Sequence, residues 1–184
     1  MIKNILQSLF KLIIGAGPFG ALSVFFIILM ITGVGPDHKI SSYIGDNIIN
    51  SDGLAETGES FEDISDYMFR FLRDLNISLL SLTVAMCTIW TIASHYLNIN
   101  APGKAKLYFI HWIIFSGVFV GLNVAINFYF TETTRYFVQQ YLSSGGKFII
   151  FVANLAFYTL MYYVGVLLGT ARYARSSVLL ANKL

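Results

Sequence analysis

The chain has 184 residues, of which 56% are hydrophobic and only 12% are charged. Soluble domains carry about 25% charged residues, so this composition excludes an ordinary soluble domain and favours a polytopic membrane protein with an all-α fold. The net charge of +2 comes without a basic run, which excludes nucleic acid as a partner. The single cysteine, Cys87, excludes an internal disulfide.

The first 34 residues predict a short helix in the membrane interface followed by a transmembrane helix. In residues 1–11 the apolar side chains fall on one helical face, with Lys3 and Lys11 outside it. Residues 12–34 carry no charge and are long enough to span a bilayer. A signal peptide is the alternative, but the apolar run exceeds a typical signal core, so we favour a retained anchor. Pro18 predicts a kink in this span.

Residues 35–75 form an acidic segment that holds nine of the ten acidic residues. Within it, residues 60–75 predict an amphipathic helix, because Ser60 and Asp63 resemble a capping box and apolar residues follow at helical spacing. We expect this apolar face to dock on the bilayer or on a partner protein. The residues assigned to docking are Phe61, Ile64, Met68 and Phe71.

The second transmembrane helix is predicted at residues 76–96, which contain no Asp, Glu, Lys or Arg. These ~20 residues span roughly 30 Å as a helix, the thickness of a bilayer core. No helix breaker separates them from residues 60–75. We therefore expect one long helix whose first part is an amphipathic extension outside the membrane.

The second half of the chain predicts two further spans, which brings the total to four transmembrane helices. Residues 97–106 form a loop with a Pro102–Gly103 turn, and residues 107–130 form the third span. Residues 131–147 are predicted to be a second loop, which contains a short helix ended by Gly145–Gly146. Residues 148–171 form the fourth span, and residues 172–184 are a basic tail.

Small and polar residues inside the spans predict helix contacts. Gly117 with Gly121 in the third span, and Gly165 with Gly169 in the fourth, have the small-xxx-small spacing that lets helix backbones approach closely. The polar residues in the same two spans are Asn123, Asn127 and Asn154. We expect their amides to form hydrogen bonds between helices; the alternative is that they line a polar conduit.

The distribution of charge predicts the orientation of the chain. Four crossings place both ends and residues 97–106 on one side, which carries seven basic residues and no acid. Those basic residues are Lys3, Lys11, Lys104, Lys106, Arg172, Arg175 and Lys183. The other side carries five basic residues and all ten acids. Because basic residues near span ends stay cytoplasmic, we expect both termini in the cytoplasm and residues 35–75 and 131–147 on the opposite side.

Two histidines are the candidates for a cofactor site. His95 ends the second span and His111 lies one turn into the third, at the same predicted membrane face. Two such imidazoles could hold a haem iron axially, but structural roles at the interface are the more common use of such residues. No CxxCH motif, metal-ligand spacing or catalytic motif is present in the sequence. We therefore expect no enzyme activity, no metal and no cofactor.

These features favour a non-catalytic subunit of the inner (plasma) membrane. We hypothesise a scaffold component of a multiprotein envelope assembly, such as a secretion or conjugation machine. Its partners would be membrane lipid and other membrane protein subunits, which include further copies of itself. The alternatives are a haem b- or quinone-binding anchor of an oxidoreductase, and a small channel or holin-like pore former.

Overall fold

The structure, a computed structural model, describes residues 2–32, 61–96, 104–132 and 142–169. These residues form four helices, which are α1 (Ile2–Thr32), α2 (Phe61–Tyr96), α3 (Lys104–Glu132) and α4 (Ser144–Gly169). Apart from Leu142 and Ser143, every described residue lies in one of them. The predicted all-α class is confirmed for this part of the chain.

Within the described ranges, three helices are long and apolar enough to cross a membrane. Their candidate spans are Met68–Ala93, Ile110–Glu132 and Ser144–Val166. The first 29 residues supply a fourth span only if the two parts of α1, Ile2–Ile14 and Ala16–Leu29, count as one. The helices indicate a membrane protein, and the predicted fourth crossing depends on α1.

Helix α1 is bent by 52° between Ile2–Ile14 and Ala16–Leu29. The bend has a local cause, because Pro18 lies inside the helix and has no N–H to donate to the carbonyl of Ile14, one turn earlier. The first part of α1 therefore extends to Ile14, beyond the boundary at residue 11 that we drew from the sequence.

Helix α2 is continuous over 36 residues, so residues 61–75 and 76–96 form one long helix, as the sequence predicts. It contains neither glycine nor proline, and two of its polar side chains at the predicted boundary bond to the helix's own backbone. Asn76 Nδ2 donates to the carbonyl of Leu72, and Ser78 Oγ donates to the carbonyl of Asp74, both at 2.8 Å. The candidate span begins at Met68, eight residues before the predicted start at 76.

Helix α4 begins at Ser144, within the stretch predicted to be a loop up to residue 147. Ser143 caps it, because its Oγ accepts a hydrogen bond of 2.8 Å from the backbone N–H of Gly146. The carbonyl of Ser143 accepts the first helical bond, from Lys147 N at 2.9 Å. Gly145 and Gly146 thus lie in the first turn of a helix. The short helix that they were predicted to end falls mostly in residues 133–141, outside the described residues.

The chain packs as two compact units, and the first comprises residues 1–21, 80–122 and 157–184. Aromatic side chains join its helices in pairs. Phe19 of α1 meets Phe157 of α4 edge to face at 6.0 Å between ring centroids. Phe119 of α3 stacks on Tyr162 of α4 at 4.3 Å. Trp90 of α2 lies 5.1 Å from Phe115 of α3.

The second unit comprises residues 22–79 and 123–156. Phe71 of α2 is fully buried and its ring centroid lies 6.5 Å from that of Phe130 of α3. An ion pair of 3.0 Å joins Lys147 Nζ of α4 to Glu132 Oε1 of α3. The second unit therefore combines an apolar core with a partly exposed ion pair.

Candidate functional site

The three intramembrane asparagines named from the sequence come together in the second unit, where they form what we call the amide cluster (Asn123, Asn127 and Asn154). Asn127 is its centre. The Nδ2 of Asn127 donates to Asn123 Oδ1 at 2.8 Å and to the Asn123 carbonyl at 3.0 Å. The Oδ1 of Asn127 accepts from Asn154 Nδ2 at 3.4 Å. The last of these bonds joins α3 to α4.

The amide cluster is buried at its α3 end. Asn123 and Asn127 are fully buried, while Asn154 is half-buried. Thr131 extends the same side of α3, since its Oγ1 donates to the Asn127 carbonyl at 2.9 Å. Among the residues that the structure describes, the buried Nδ2 of Asn123 has no hydrogen-bond partner. An unpaired buried donor costs free energy, so Asn123 contributes mainly as an acceptor for Asn127.

The chemistry available to the amide cluster is hydrogen bonding without proton transfer. Carboxamides are neutral and hold both a donor and an acceptor. Here two of the three are fully buried and bond to each other. A polar conduit needs groups that water can reach, so this geometry favours the association of α3 with α4 over the conduit alternative.

Gly165 marks a close approach of helices in the first unit. A β-carbon placed on Gly165 would lie 2.8 Å from Cys87 Sγ of α2 and 3.6 Å from the β-carbon of Ala16 of α1. Real β-carbons do not come that close to a sulfur atom, so the thiol occupies the space that glycine leaves. Three helices therefore meet at Ala16, Cys87 and Gly165.

The polar groups around this contact are paired within the first unit. The buried thiol of Cys87 donates to the backbone carbonyl of Tyr162 at 3.7 Å. The Tyr162 hydroxyl shares a hydrogen bond of 3.3 Å with Ser116 Oγ of α3. Sequence reasoning singled out Gly165 but not its partner Cys87. A small side chain in an apolar span fits many packings, so the sequence contains no signal for this partner.

Gly117 and Gly121 have the opposite surroundings. Both are exposed, and nothing lies within 4 Å of a β-carbon placed on either residue. They do not mediate a contact within the described part of the chain. Their predicted role in helix packing therefore stays a prediction, and it concerns packing against a helix of another chain. Gly169 ends α4, and its surroundings lie outside the described residues.

The residues predicted to dock on a partner or on the bilayer divide into two pairs. Met68 and Phe71 are buried inside this chain, where Phe71 packs near Phe130, so they are not available on its surface. Phe61 and Ile64 belong to α2, but their side chains lie outside the described residues. The docking role stays a prediction for these two.

The histidine pair also divides. His111 is exposed on α3, whereas the side chain of His95 lies outside the described residues. Over the described ranges, no group of three or more His, Cys, Asp or Glu residues is arranged to hold a metal ion. Haem ligation by His95 and His111 stays a prediction.

The class that the helices define is a membrane protein with long apolar helices and a neutral polar cluster. No protein-family model, no characterised protein and no solved structure matches the chain. Its function is therefore inferred from the geometry of its own residues.

Proposed function

We propose that this chain is a non-catalytic integral membrane subunit that assembles with other membrane proteins. The envelope assembly to which it contributes would be of the kind that secretion and conjugation machines represent. The observation that carries this proposal is the outer face of α3, which combines exposed glycines with exposed apolar side chains.

That outer face has the pattern of a helix-pairing surface. Ile110, Ile114, Gly117 and Gly121 recur at intervals of three or four residues, and all four are exposed. On a helix, Gly121 lies nearly opposite Phe119, which is fully buried. Large apolar residues suffice to face lipid, whereas glycines four residues apart let a second backbone approach closely. The outward glycines therefore favour a partner helix on this face.

The extent of the exposed surface agrees with a subunit role. In the most apolar stretch of the Ile110–Glu132 span, only 17% of the residues are buried inside the chain. The described polar groups inside the spans, by contrast, bond mainly within the chain, as at Asn127 and Tyr162. The chain thus bonds the amides of Asn127 and Asn154 internally and leaves the outer face of α3 open to other helices.

We propose further that the protein resides in the inner (plasma) membrane with both termini in the cytoplasm. The side that would be cytoplasmic carries seven of the twelve basic residues and none of the acids. In this arrangement the first part of α2 precedes the membrane as an extension, and α1 makes the fourth crossing.

Affinity purification in mild detergent tests the proposal. The tagged protein should co-purify with other membrane proteins or with an untagged copy of itself. The double variant Gly117→Leu/Gly121→Leu should lose those partners, because leucine prevents backbone contact. Its monomeric stability should stay unchanged, because both positions face open space within the chain.

The matched control is Ile114→Leu, which lies on the same face and keeps an apolar side chain of the same size. It should retain the partners. A wild-type protein that purifies as a monomer without partners would contradict the proposal. Full retention of partners by the double glycine variant would show that α3 is not the assembly surface.

A further inference from the structure

The first part of α1, which we call the N-terminal arm (Ile2–Ile14), points in a different direction from the rest of the helix. The 52° bend separates it from Ala16–Leu29, the apolar part of α1 that continues beyond it. If the two parts together make one crossing, a bend of this size turns the arm away from the axis of the later part and toward the membrane plane. The arm is then placed where a helix meets the headgroup layer.

The N-terminal arm is apolar on more of its circumference than the protein covers. Ser8 and Leu12, four residues apart, form its buried side. Ile2, Leu6 and Phe10 form a second row at the same spacing and are 74%, 60% and 63% exposed. A helix with an exposed apolar row beside a polar one is typical of segments that lie in the membrane interface.

The charges that border this row are all positive. Lys3 and Lys11 line an open groove of about 680 Å³ together with Ile2, Leu6, Gln7 and Phe10. No acidic residue occurs in the sequence before Asp37. Two ammonium groups beside an apolar row are complementary to a surface that is apolar below and anionic above. A bilayer leaflet with anionic lipids has that layering.

We propose that the N-terminal arm is a binding site for anionic lipid headgroups. Leu6 and Phe10 enter the acyl region, and Lys3 and Lys11 contact the lipid phosphates. A long lysine side chain suits this position, because its apolar stem lies along the acyl boundary while its ammonium reaches the headgroups. The inference does not depend on the proposed assembly through α3, which involves other residues.

Site-specific fluorescence in vesicles tests this inference on the full chain. Because Cys87 is the only cysteine, a Cys87→Ala background accepts one new cysteine, at Leu6 on the apolar row or at Asn4 on the polar side. Each is labelled with an environment-sensitive dye. The protein is then reconstituted in phosphatidylcholine alone or with roughly one quarter phosphatidylglycerol, and the dye is quenched with acrylamide, a neutral quencher that the anionic surface does not repel.

The anionic lipid should lower quenching of the Leu6 label by about threefold or more and leave the Asn4 label largely accessible. Lys3→Glu/Lys11→Glu should abolish this dependence on lipid, while Lys3→Arg/Lys11→Arg should retain it. Equal quenching of both labels in both vesicles would overturn the inference. Protection of the Leu6 label that persists in the glutamate variant would also overturn it. So would protection that rises with protein density in the vesicles, because it would mean that a second copy of the chain covers the apolar row.

Discussion

At Gly165 the backbone of α4 comes so close to α2 that a β-carbon there would collide with the Cys87 thiol. The distance from that β-carbon to Sγ is 2.8 Å, whereas the distance to the Cys87 β-carbon is 3.7 Å, an ordinary contact. The conflict therefore comes from a single sulfur atom. The Cys87 sulfur on the neighbouring helix α2 therefore limits which residues position 165 can accept.

We predict that Gly165→Ala destabilises the protein by about 1–3 kcal/mol, the usual cost of adding a methyl group to a packed interior. Adding Cys87→Ala should restore most of the loss, because it removes the sulfur and leaves the contact of 3.7 Å. Thermal unfolding in detergent measures both changes.

Gly117→Ala is the control for this pair, since nothing lies within 4 Å of a β-carbon at Gly117. It should not lower the unfolding temperature of the isolated chain, because alanine fits the open space and favours a helix more than glycine does. Equal effects of Gly165→Ala and Gly117→Ala, or a double variant no better than the single one, would show that the thiol does not limit the space at Gly165.

At the scale of helices, α3 and α4 are joined in the second unit by a hydrogen bond that depends on Asn127. This side chain donates to Asn123 and accepts from Asn154, so its loss leaves both neighbours without those bonds. Asn154 takes part only through the longer contact of 3.4 Å. The two residues should therefore differ in their contribution to stability.

We predict that Asn127→Ala lowers the free energy of unfolding by roughly 1–2 kcal/mol, and that Asn154→Ala lowers it by about 0.6 kcal/mol or less. The physical reason is the number and length of the bonds that each change removes. Titration with a denaturing detergent gives the order. A larger effect at Asn154 would mean that Asn127 is not the centre of the amide cluster.

The sequence was sufficient to predict the helices themselves. Long apolar runs without charge permit little besides a helix, and α2 and α3 each contain such a run. The start of α4 was predicted four residues too late. The pair Gly145–Gly146 is compatible with the start or the end of a helix. Only the hydrogen bond from Gly146 N–H to Ser143 Oγ identifies it as the start.

The sequence also could not predict what packs against an apolar helix face. Spacing shows that Met68 and Phe71 share a face, but it does not show whether lipid, a partner or the same chain covers it. For the asparagines, the sequence named all three members of the amide cluster. Which of them is central depends on distances between α3 and α4. These distances cannot be deduced from the spacing of residues within one helix.

At the scale of the whole molecule, the orientation in the membrane has a direct test. A reporter that functions only in the cytoplasm should be active when fused after Leu184 or inserted within residues 98–103. Near Asp52 it should be inactive, because four crossings place that segment on the other side. Activity near Asp52 would reverse the orientation. Reporter activity after Leu184 without activity at 98–103 would indicate a number of membrane crossings other than four.

The neutrality of the amide cluster has a consequence for how the protein responds to the energy state of its membrane. A potential of 100 mV does work of about 2.3 kcal/mol on an elementary charge that crosses it. Carboxamides carry no net charge and do not titrate, so neither voltage nor a proton gradient acts on the bonds that centre on Asn127. The hydrogen bond between Asn127 and Asn154 should therefore keep the same strength in an energised and in a depolarised cell.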